Sequence, residues 1–124
     1  MEYVTLNNGI KMPMAGIGVF MMSPAEAQSA VENALKSGVR LIDTANGYMN
    51  ESGTGRGIKS SGVARKDIFL VTKLWPTVYE KETAIDESLS ALIQTTLICF
   101  FFISLPITGG KDIKPLRRLI RKGK

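Results

Sequence analysis

The stretch Gly38-Val39-Arg40-Leu41-Ile42-Asp43-Thr44 joins a helix stop to a short apolar run and then to polar side chains. Residues 39–42 are mostly apolar and include β-branched side chains, a composition typical of a strand. Upstream, Ser23-Pro24-Ala25-Glu26 combines an N-cap serine, a proline at the first helical position and a glutamate at the third. Together these residues predict a helix start. The helix is expected to stop at Gly38, because glycine readily adopts the left-handed conformation that follows a last helical turn.

The same order of strand and helix repeats along the chain. A leading hairpin is expected at Asn8-Gly9, which lies between two β-prone runs and is a strong short hairpin signal. Strands that alternate with helices through short connections favour an α/β fold, with a parallel sheet and right-handed crossovers. The predicted strands are 16–20, 39–42 and 68–72, and the predicted helices are 24–37, 50–60 and 80–92.

Three chemically active side chains follow the predicted strands. Asp43 ends the second strand, Tyr48 lies in the loop beyond it, and Lys73 follows the third strand directly. They are expected on one face, because side chains past the carboxyl ends of parallel strands share one edge of the sheet. A neighbouring cation favours the phenolate that remains when a tyrosine donates its proton, so the three form a plausible proton-transfer unit. The alternative is structural: a turn-capping aspartate, a half-buried tyrosine and a solvated lysine.

Three blocks of sequence resemble a known family. They are Gly38-Val39-Arg40-Leu41-Ile42-Asp43-Thr44-Ala45-Asn46-Gly47-Tyr48, then Asn50-Glu51, then Phe69-Leu70-Val71-Thr72-Lys73-Leu74-Trp75-Pro76. Their order, spacing and flanking residues are similar to the aldo-keto reductase pattern. Several blocks at consistent separations are a far more specific signal than one short motif. The resemblance covers about residues 3–91.

This resemblance implies a fold and a reaction. The fold is a (β/α)8 TIM barrel with a leading β-hairpin, of which this chain holds the N-terminal portion, truncated after about three to four strands. The implied reaction is NADPH-dependent reduction of a small-molecule carbonyl, an aldehyde or a ketone, to an alcohol. Tyr48 would be the general acid, with Lys73 and Asp43 tuning it.

The resemblance also implies positions for the cofactor and the substrate. Gly18, Val19 and Asp43 match the family's cofactor contacts. Phe20 and Trp75 match walls of an apolar substrate pocket, and ordinary packing is the alternative for both rings. No metal site is expected.

From about Leu92 the chain departs from the family pattern. The family's fourth catalytic residue is a histidine that ends the fourth strand, and this chain contains no histidine. A shifted reading frame is obtained when the third base of each codon from Leu92 onward is taken as the first base of a new codon. In that frame, the codon that spans Phe102 and Ile103 must encode His or Tyr. The same displaced frame can spell Asp-Tyr-Ile-Asp-Leu-Leu-Leu-Leu-His-Gln-Pro, which is similar to the family's fourth strand. We therefore expect a frameshift near Leu92, dividing a family portion (1–91) from a non-family tail (92–124); a sequence error or an evolved tail are the alternatives.

Composition bounds the remaining possibilities. The chain has 124 residues, one cysteine and a net charge of +5. A single cysteine cannot form an internal disulfide, and the start lacks the features of a signal peptide, so a cytoplasmic location is expected.

Residues 111–124 hold seven Lys or Arg against one Asp, and residues 97–105 are apolar. An alternative function is association with a membrane or a polyanion through residues 97–124. In the main interpretation, neither a membrane nor a specific nucleic acid is expected as a partner.

An incomplete barrel is expected to be inactive and to aggregate through exposed strand edges. Activity as an oxidoreductase would require the full reading frame or a complementing chain.

Overall fold

The structure is a computed structural model that describes residues 1–78, 81–93 and, for the backbone alone, 99–102. The apolar run and the basic tail predicted for membrane or polyanion binding lie outside the described residues, apart from that backbone. The strands are β1 (Tyr3–Thr5), β2 (Lys11–Pro13), β3 (Ile17–Gly18), β4 (Leu41–Asp43), β5 (Phe69–Leu74) and β6 (Cys99–Phe102), and the helices are α1 (Pro24–Lys36), α2 (Glu51–Ser61) and α3 (Ala84–Ala91).

The predicted α/β architecture is confirmed. Strands β1 and β2 form the leading antiparallel hairpin, with Gly9 at a left-handed φ of +83° in its turn. The other four strands form a parallel sheet in the order β3-β4-β5-β6. Right-handed crossovers that place helices between successive parallel strands produce this sequential order. Among the described residues the sheet stays open, which is consistent with part of a barrel.

Several predicted boundaries differ from the structure; β4, for example, begins at Leu41, two residues after its predicted start. The strand expected at 16–20 is only Ile17–Gly18, because Val19 and Phe20 already belong to the turn that leads into α1. Strand β5 continues to Leu74, two residues past its predicted end. The third helix begins at Ala84, after a 3-10 helix at Pro76–Val78, and residues 79–80 lie outside the described part of the chain.

Helices α1 and α2 pack together on the sheet. A Cβ added at Gly53 would lie 2.0 Å from the Pro24 carbonyl oxygen, and one at Gly57 would lie 2.6 Å from that of Gln28. These glycines therefore let the two helix backbones approach more closely than any larger residue would allow. The core beneath them is apolar and excludes water, which is the main favourable contribution to folding. Its buried members are Val19, Ala27, Val31, Leu35, Ile42, Ile58, Ile68, Leu70 and Leu92.

Local capping fixes where α1 begins. The Ser23 hydroxyl accepts from the Glu26 backbone N–H at 3.3 Å, and the Glu26 carboxylate accepts from the Ser23 N–H at 2.8 Å. This reciprocal capping box is the one that the sequence predicts. Hydrogen bonds from Ser23 also lower the pKa of the Glu26 carboxyl.

In the part of the chain that the structure describes, no helix has the length and hydropathy needed to cross a membrane.

Candidate active site

Asp43, Tyr48 and Lys73 come together at the carboxyl ends of the parallel strands. Asp43 ends β4, and Lys73 is the fifth residue of β5. Tyr48 ends a 3-10 helix, Asn46–Tyr48, that follows β4. The sequence places all three on one face, and the structure brings their polar groups into direct contact.

The Lys73 ammonium is the centre of this cluster. Its Nζ forms an ion pair with the Asp43 carboxylate. It also donates to the Thr44 backbone carbonyl at 2.9 Å and to the Tyr48 hydroxyl at 3.3 Å. An ammonium has three N–H donors, so each of them has an acceptor. The Lys73 head group is therefore fixed in one orientation beside the phenol.

The Tyr48 hydroxyl oxygen is an acceptor in this cluster. Because Lys73 donates to it, the phenol's own proton is not used between the two residues. Within residues 1–78 and 81–93 the Tyr48 hydroxyl takes part in this cluster as an acceptor only. The Lys73 Nζ also lies 5.0 Å from the centroid of the Tyr48 ring. A cation at this distance over an aromatic ring is attracted by the negative face of the ring.

The loop after β3 borders the cluster. Gly18 pairs with Asp43 across the β3–β4 register, and the Val19 N–H donates to the Asp43 carbonyl at 3.1 Å. The Val19 side chain is fully buried, whereas Phe20 is 65% exposed. The Phe20 ring contacts the Tyr48 ring with centroids 4.9 Å apart and planes tilted by 56°. The predicted substrate wall therefore lies against the predicted acid.

Trp75 contacts the turn formed by residues 46–48, which carries Tyr48. Its backbone N–H donates to the Asn46 side-chain oxygen at 2.9 Å. A Cβ added at Gly47 would come within 3.1 Å of the indole Cε3, so the ring lies close against the Gly47 backbone. Trp75 is 43% exposed. Phe20 and Trp75 thus both border the 46–48 turn, Phe20 through the Tyr48 ring and Trp75 through Asn46 and Gly47.

Gly18 and Asp43, two of the positions predicted to contact the cofactor, are the last residues of β3 and β4. A Cβ built at Gly18 meets no atom within 4 Å, and the Asp43 side chain keeps 37% of its exposure. A flat, unobstructed backbone beside a half-exposed carboxylate fits a bound sugar or ring with hydroxyl donors. Among the described residues, no group of three His, Cys, Asp or Glu side chains is arranged to hold a metal ion.

Two further polar residues organise the site, and the sequence pattern did not assign them a role. Asn50 and Thr44 are both fully buried. The Asn50 amide donates to the Val19 carbonyl at 2.7 Å and the Met22 carbonyl at 3.0 Å, and its oxygen accepts from the Thr44 hydroxyl at 3.1 Å. The sequence offers two signals for them. Thr44 directly follows a buried strand, and Asn50 directly precedes α2.

A buried carboxylate lies on the opposite face of β5. Glu51 is 7% exposed and accepts from the Thr72 hydroxyl at 2.6 Å, with a further hydrogen bond from Ser88. Burial raises the pKa of the Glu51 carboxyl, and these hydroxyl donors only partly oppose that rise. Since successive strand residues face opposite sides, Glu51 lies behind the sheet and does not touch the Lys73 cluster.

Comparison with known proteins identifies similar chains. The model of the Aldo/keto reductase family matches residues 14–97. Morphine 6-dehydrogenase of Pseudomonas putida is 50% identical over 92 residues, which cover 72% of this chain and 31% of that protein. Glyoxal reductase of Bacillus subtilis is 41% identical over a 132-residue alignment, covering 99% of this chain and 46% of that protein.

Solved structures agree with this match. An aldo/keto reductase from Brucella melitensis has a TM-score of 0.85 and 42% identity, covering 98% of this chain and 47% of that one. A Bombyx mori aldo-keto reductase in complex with NADP has a TM-score of 0.83 and 26% identity, with coverage of 98% and 47%. The chain therefore spans less than half the length of each of these relatives.

Proposed function

Because this chain belongs to the aldo/keto reductase family, we propose that its Tyr48 cluster is the proton-donating unit of an NADPH-dependent reductase of small aldehydes and ketones. The family assignment makes the chain a member of an oxidoreductase family. The observation that carries the specific proposal is the Lys73 ammonium, whose three N–H groups are directed to Asp43, the Thr44 carbonyl and the Tyr48 oxygen.

Each residue of the cluster has a distinct task in this proposal. Tyr48 donates its O–H to the substrate carbonyl oxygen, which becomes the alcohol oxygen. Lys73 stabilises the phenolate that remains, and Asp43 holds the ammonium in place. NADPH, when bound, supplies the hydride that reaches the carbonyl carbon. Gly18 and Asp43 are the residues we assign to the cofactor, with Val19 as the buried support of that loop.

The substrate class follows from the borders of the site. Phe20 and Trp75 flank the turn that carries Tyr48 and offer apolar surface to the rest of a carbonyl compound. One relative is a glyoxal reductase by name, and another is a methylglyoxal reductase. Small 2-oxoaldehydes are therefore the first substrates to test.

Within these 124 residues the proposed site is incomplete. The family resemblance expects a histidine that orients the carbonyl, and the chain has none. Losing one positioned catalytic group costs about 10² to 10⁴ in rate. We therefore propose that this chain alone does not reduce carbonyls above background.

We propose a frameshift near Leu92 as the origin of that gap. Strand β6 lies beside β5 with Leu74 aligned to Phe102, so it takes the place of a fourth parallel strand. The junction of Phe102 and Ile103, which encodes His or Tyr in the displaced frame, falls at the carboxyl end of that strand. The histidine codon would then sit where the resemblance expects the residue. Resequencing the region around codon 92 tests the idea, and an intact frame without reductase-like sequence in the alternative frame would reject it.

The decisive enzymatic test compares two chains. The 124-residue chain and a chain with the frame restored at codon 92 are mixed with NADPH and methylglyoxal, and NADPH oxidation is followed by absorbance. We expect background oxidation from the first and turnover from the second, with turnover abolished by Tyr48→Phe. Full activity of the restored chain carrying Tyr48→Phe would show that Tyr48 is not the acid. A Tyr3→Phe chain, altered in an exposed tyrosine of β1, is the matched control.

Two further properties complete the proposal. We place the chain in the cytoplasm, because one cysteine in 124 residues suits a reducing compartment. We also expect self-association, because β3 and β6 are edge strands among the described residues and unpaired edges recruit other strands. Light scattering as a function of concentration measures this, and a strictly monomeric chain at high concentration would contradict it.

A further inference from the structure

The Asn50 amide has hydrogen bonds in three directions, and all of them end at segments bordering the candidate site. Its two N–H groups reach the Val19 and Met22 carbonyls, and its oxygen accepts from Thr44. Only one orientation of the amide offers donors to both carbonyls and an acceptor to the hydroxyl. The side chain is fully buried, so water does not compete for these contacts.

The position of Phe20 depends on this amide. Phe20 is 65% exposed, so burial in the core does not fix its ring against Tyr48. The ring is placed instead by the backbone around it. Val19 and Met22, which flank Phe20 in the chain, are joined by a backbone hydrogen bond of 3.2 Å, and Asn50 holds both of their carbonyls.

Thr44 extends the contact from Asn50 to the catalytic lysine. Its hydroxyl donates to the Asn50 oxygen at 3.1 Å, and its backbone carbonyl accepts from the Lys73 Nζ at 2.9 Å. Thr44 therefore joins two sets of hydrogen bonds: its hydroxyl meets the Asn50 amide that holds the Met22 carbonyl, and its backbone carbonyl meets Lys73. Linked polar groups in a buried setting reinforce one another.

Backbone conformation at two methionines supports the same interpretation. Met21 and Met49 have left-handed φ values of 62° and 57°, which side chains other than glycine rarely adopt. Met21 directly precedes Met22, and Met49 directly precedes Asn50. Strained residues persist where the surrounding contacts over-determine them, and here the Asn50 contacts lie next to both.

We propose that Asn50 is a positioning residue that, through Thr44, couples the Phe20 loop to the orientation of Lys73 beside Tyr48. The inference rests on the proposed function, because it assumes that Phe20 contacts the substrate and that Tyr48 is the acid. It assigns the positions of both residues to one set of hydrogen bonds. Placement of the wall and placement of the ammonium are then set together. A change in the loop is transmitted to the lysine that supports the proton donor.

The test uses the full 124-residue chain at low micromolar concentration and needs no turnover. Asn50→Asp keeps the shape but replaces the two N–H donors with a carboxylate oxygen facing two carbonyls. Thr44→Val removes the hydroxyl link, and Thr44→Ser restores it. Gln28→Ala is the matched control, because Gln28 accepts from Arg56 at 2.7 Å across the same α1–α2 interface but on the exposed side.

Two readouts are taken by mass spectrometry. Amide hydrogen exchange of residues 17–23 reports the Phe20 loop, since the Val19 and Met22 amides are both hydrogen-bonded. The acylation rate of Lys73 by sulfosuccinimidyl acetate reports how firmly the ammonium is held. A merely structural anchor for the loop would change the first readout and leave the second unchanged.

We expect Asn50→Asp to speed exchange in the loop roughly tenfold, the factor that corresponds to one lost hydrogen bond. Lys73 acylation should rise at least about threefold in both Asn50→Asp and Thr44→Val, with Thr44→Ser and Gln28→Ala close to wild type. Unchanged Lys73 acylation in Asn50→Asp overturns the proposal, as does equal exchange in the wild-type and variant loops. If Asn50→Asp loses protection throughout α1 and α2, Thr44→Val decides by the same acylation criterion.

The two proposals fail separately. If the coupling is observed but the frame-restored chain shows no Tyr48-dependent NADPH oxidation, the proposed function is wrong and the coupling stands. If turnover depends on Tyr48 but Asn50→Asp leaves Lys73 acylation unchanged, the positioning role of Asn50 is wrong and the proposed function stands.

Discussion

Two carboxylates lie on opposite faces of the sheet near β5, and their partners differ. Asp43 keeps part of its exposure and pairs with the Lys73 ammonium. Glu51 is buried behind the sheet and accepts from the hydroxyls of Thr72 and Ser88. Thr72 and Lys73 are adjacent in the chain, so one residue step along the strand separates the two environments.

The difference indicates what each carboxylate does. An ammonium beside Asp43 can stabilise negative charge that develops on a third group, and we propose Tyr48 as that group. Neutral hydroxyl donors around Glu51 only compensate for its loss of hydration. The open face therefore carries the cluster that we propose for proton transfer, and the hydrogen bonds of the covered face tie α2 and α3 to β5.

The largest expected effect comes from removing the ammonium. Lys73→Met in the frame-restored chain should lower carbonyl reduction by about 10² to 10⁴, because the phenolate loses its neighbouring cation. Its cost to the free energy of unfolding should be only about 1 kcal/mol, since Asp43 is 37% exposed and water replaces the partner. Steady-state kinetics and urea titration followed by Trp75 fluorescence measure the two effects.

Lys81→Met is the control for that substitution. Lys81 also forms an ion pair, with Glu87 at 2.7 Å, and both side chains are about half exposed. Its ion-pair partner is Glu87 and not a member of the Tyr48 cluster, so Lys81→Met should leave the reduction rate unchanged. Comparable rate losses in both variants would mean that charge alone, independent of position, controls activity.

On the covered face, Thr72→Val should reduce stability with little change in shape. The substitution removes the donor at 2.6 Å from a buried carboxylate, and a hydrogen bond to a charged group contributes about 2 kcal/mol. Thr83→Val is the matched control, because Thr83 donates to the exposed Glu87 at 2.8 Å. Equal destabilisation by the two variants, measured by urea titration, would contradict the distinction between the faces.

The pH dependence of stability should distinguish Glu51 from exposed carboxylates. Burial raises the pKa of Glu51 in the folded chain. Its contribution is therefore complete below the unfolded pKa of about 4.3 and is lost as pH rises through the folded pKa. The stability advantage of wild type over Glu51→Gln should fall as the pH rises from the unfolded pKa through the folded pKa, and it should level off above the folded pKa.

Glu87→Gln should show the opposite sign. Hydrogen bonds from Lys81 and then Thr83 lower the pKa of Glu87, so its contribution is present above the unfolded pKa and is lost as pH falls through the folded value. Urea titrations at several pH values compare the two variants with wild type. Parallel pH profiles for Glu51→Gln and Glu87→Gln would remove the basis for treating the two environments differently.

Sequence reasoning predicted the catalytic cluster because its geometry follows from a regular pattern. Asp43 and Lys73 come at the ends of neighbouring parallel strands, and parallel strands end at the same edge. The hairpin at Asn8-Gly9 and the capping box at Ser23 are local, so their residue types predict them directly.

The Asn50 contacts were not predictable in the same way. Asn50 reaches Val19 and Met22, which lie 31 and 28 residues earlier in the chain, and no periodic pattern specifies such partners. The left-handed Met21 and Met49 were also missed, because methionine gives no turn signal. Both methionines lie next to residues with contacts far away in the chain, which no local residue pattern specifies.

The smallest expected effect tests the strain at the border between the two regions. Met49 lies between Tyr48 of the open face and the buried Asn50, with φ at 57° and 82% exposure. Met49→Gly removes the Cβ that disfavours this conformation, a gain of about 1 kcal/mol that the greater flexibility of glycine in the unfolded chain largely offsets. We expect a change in unfolding free energy within about 0.5 kcal/mol of zero. Ala30→Gly, in the middle of α1, should cost about 1 kcal/mol. Equal losses in both variants would show that the φ of Met49 is not strained, and that the site turn is held by local preference instead of by Asn50.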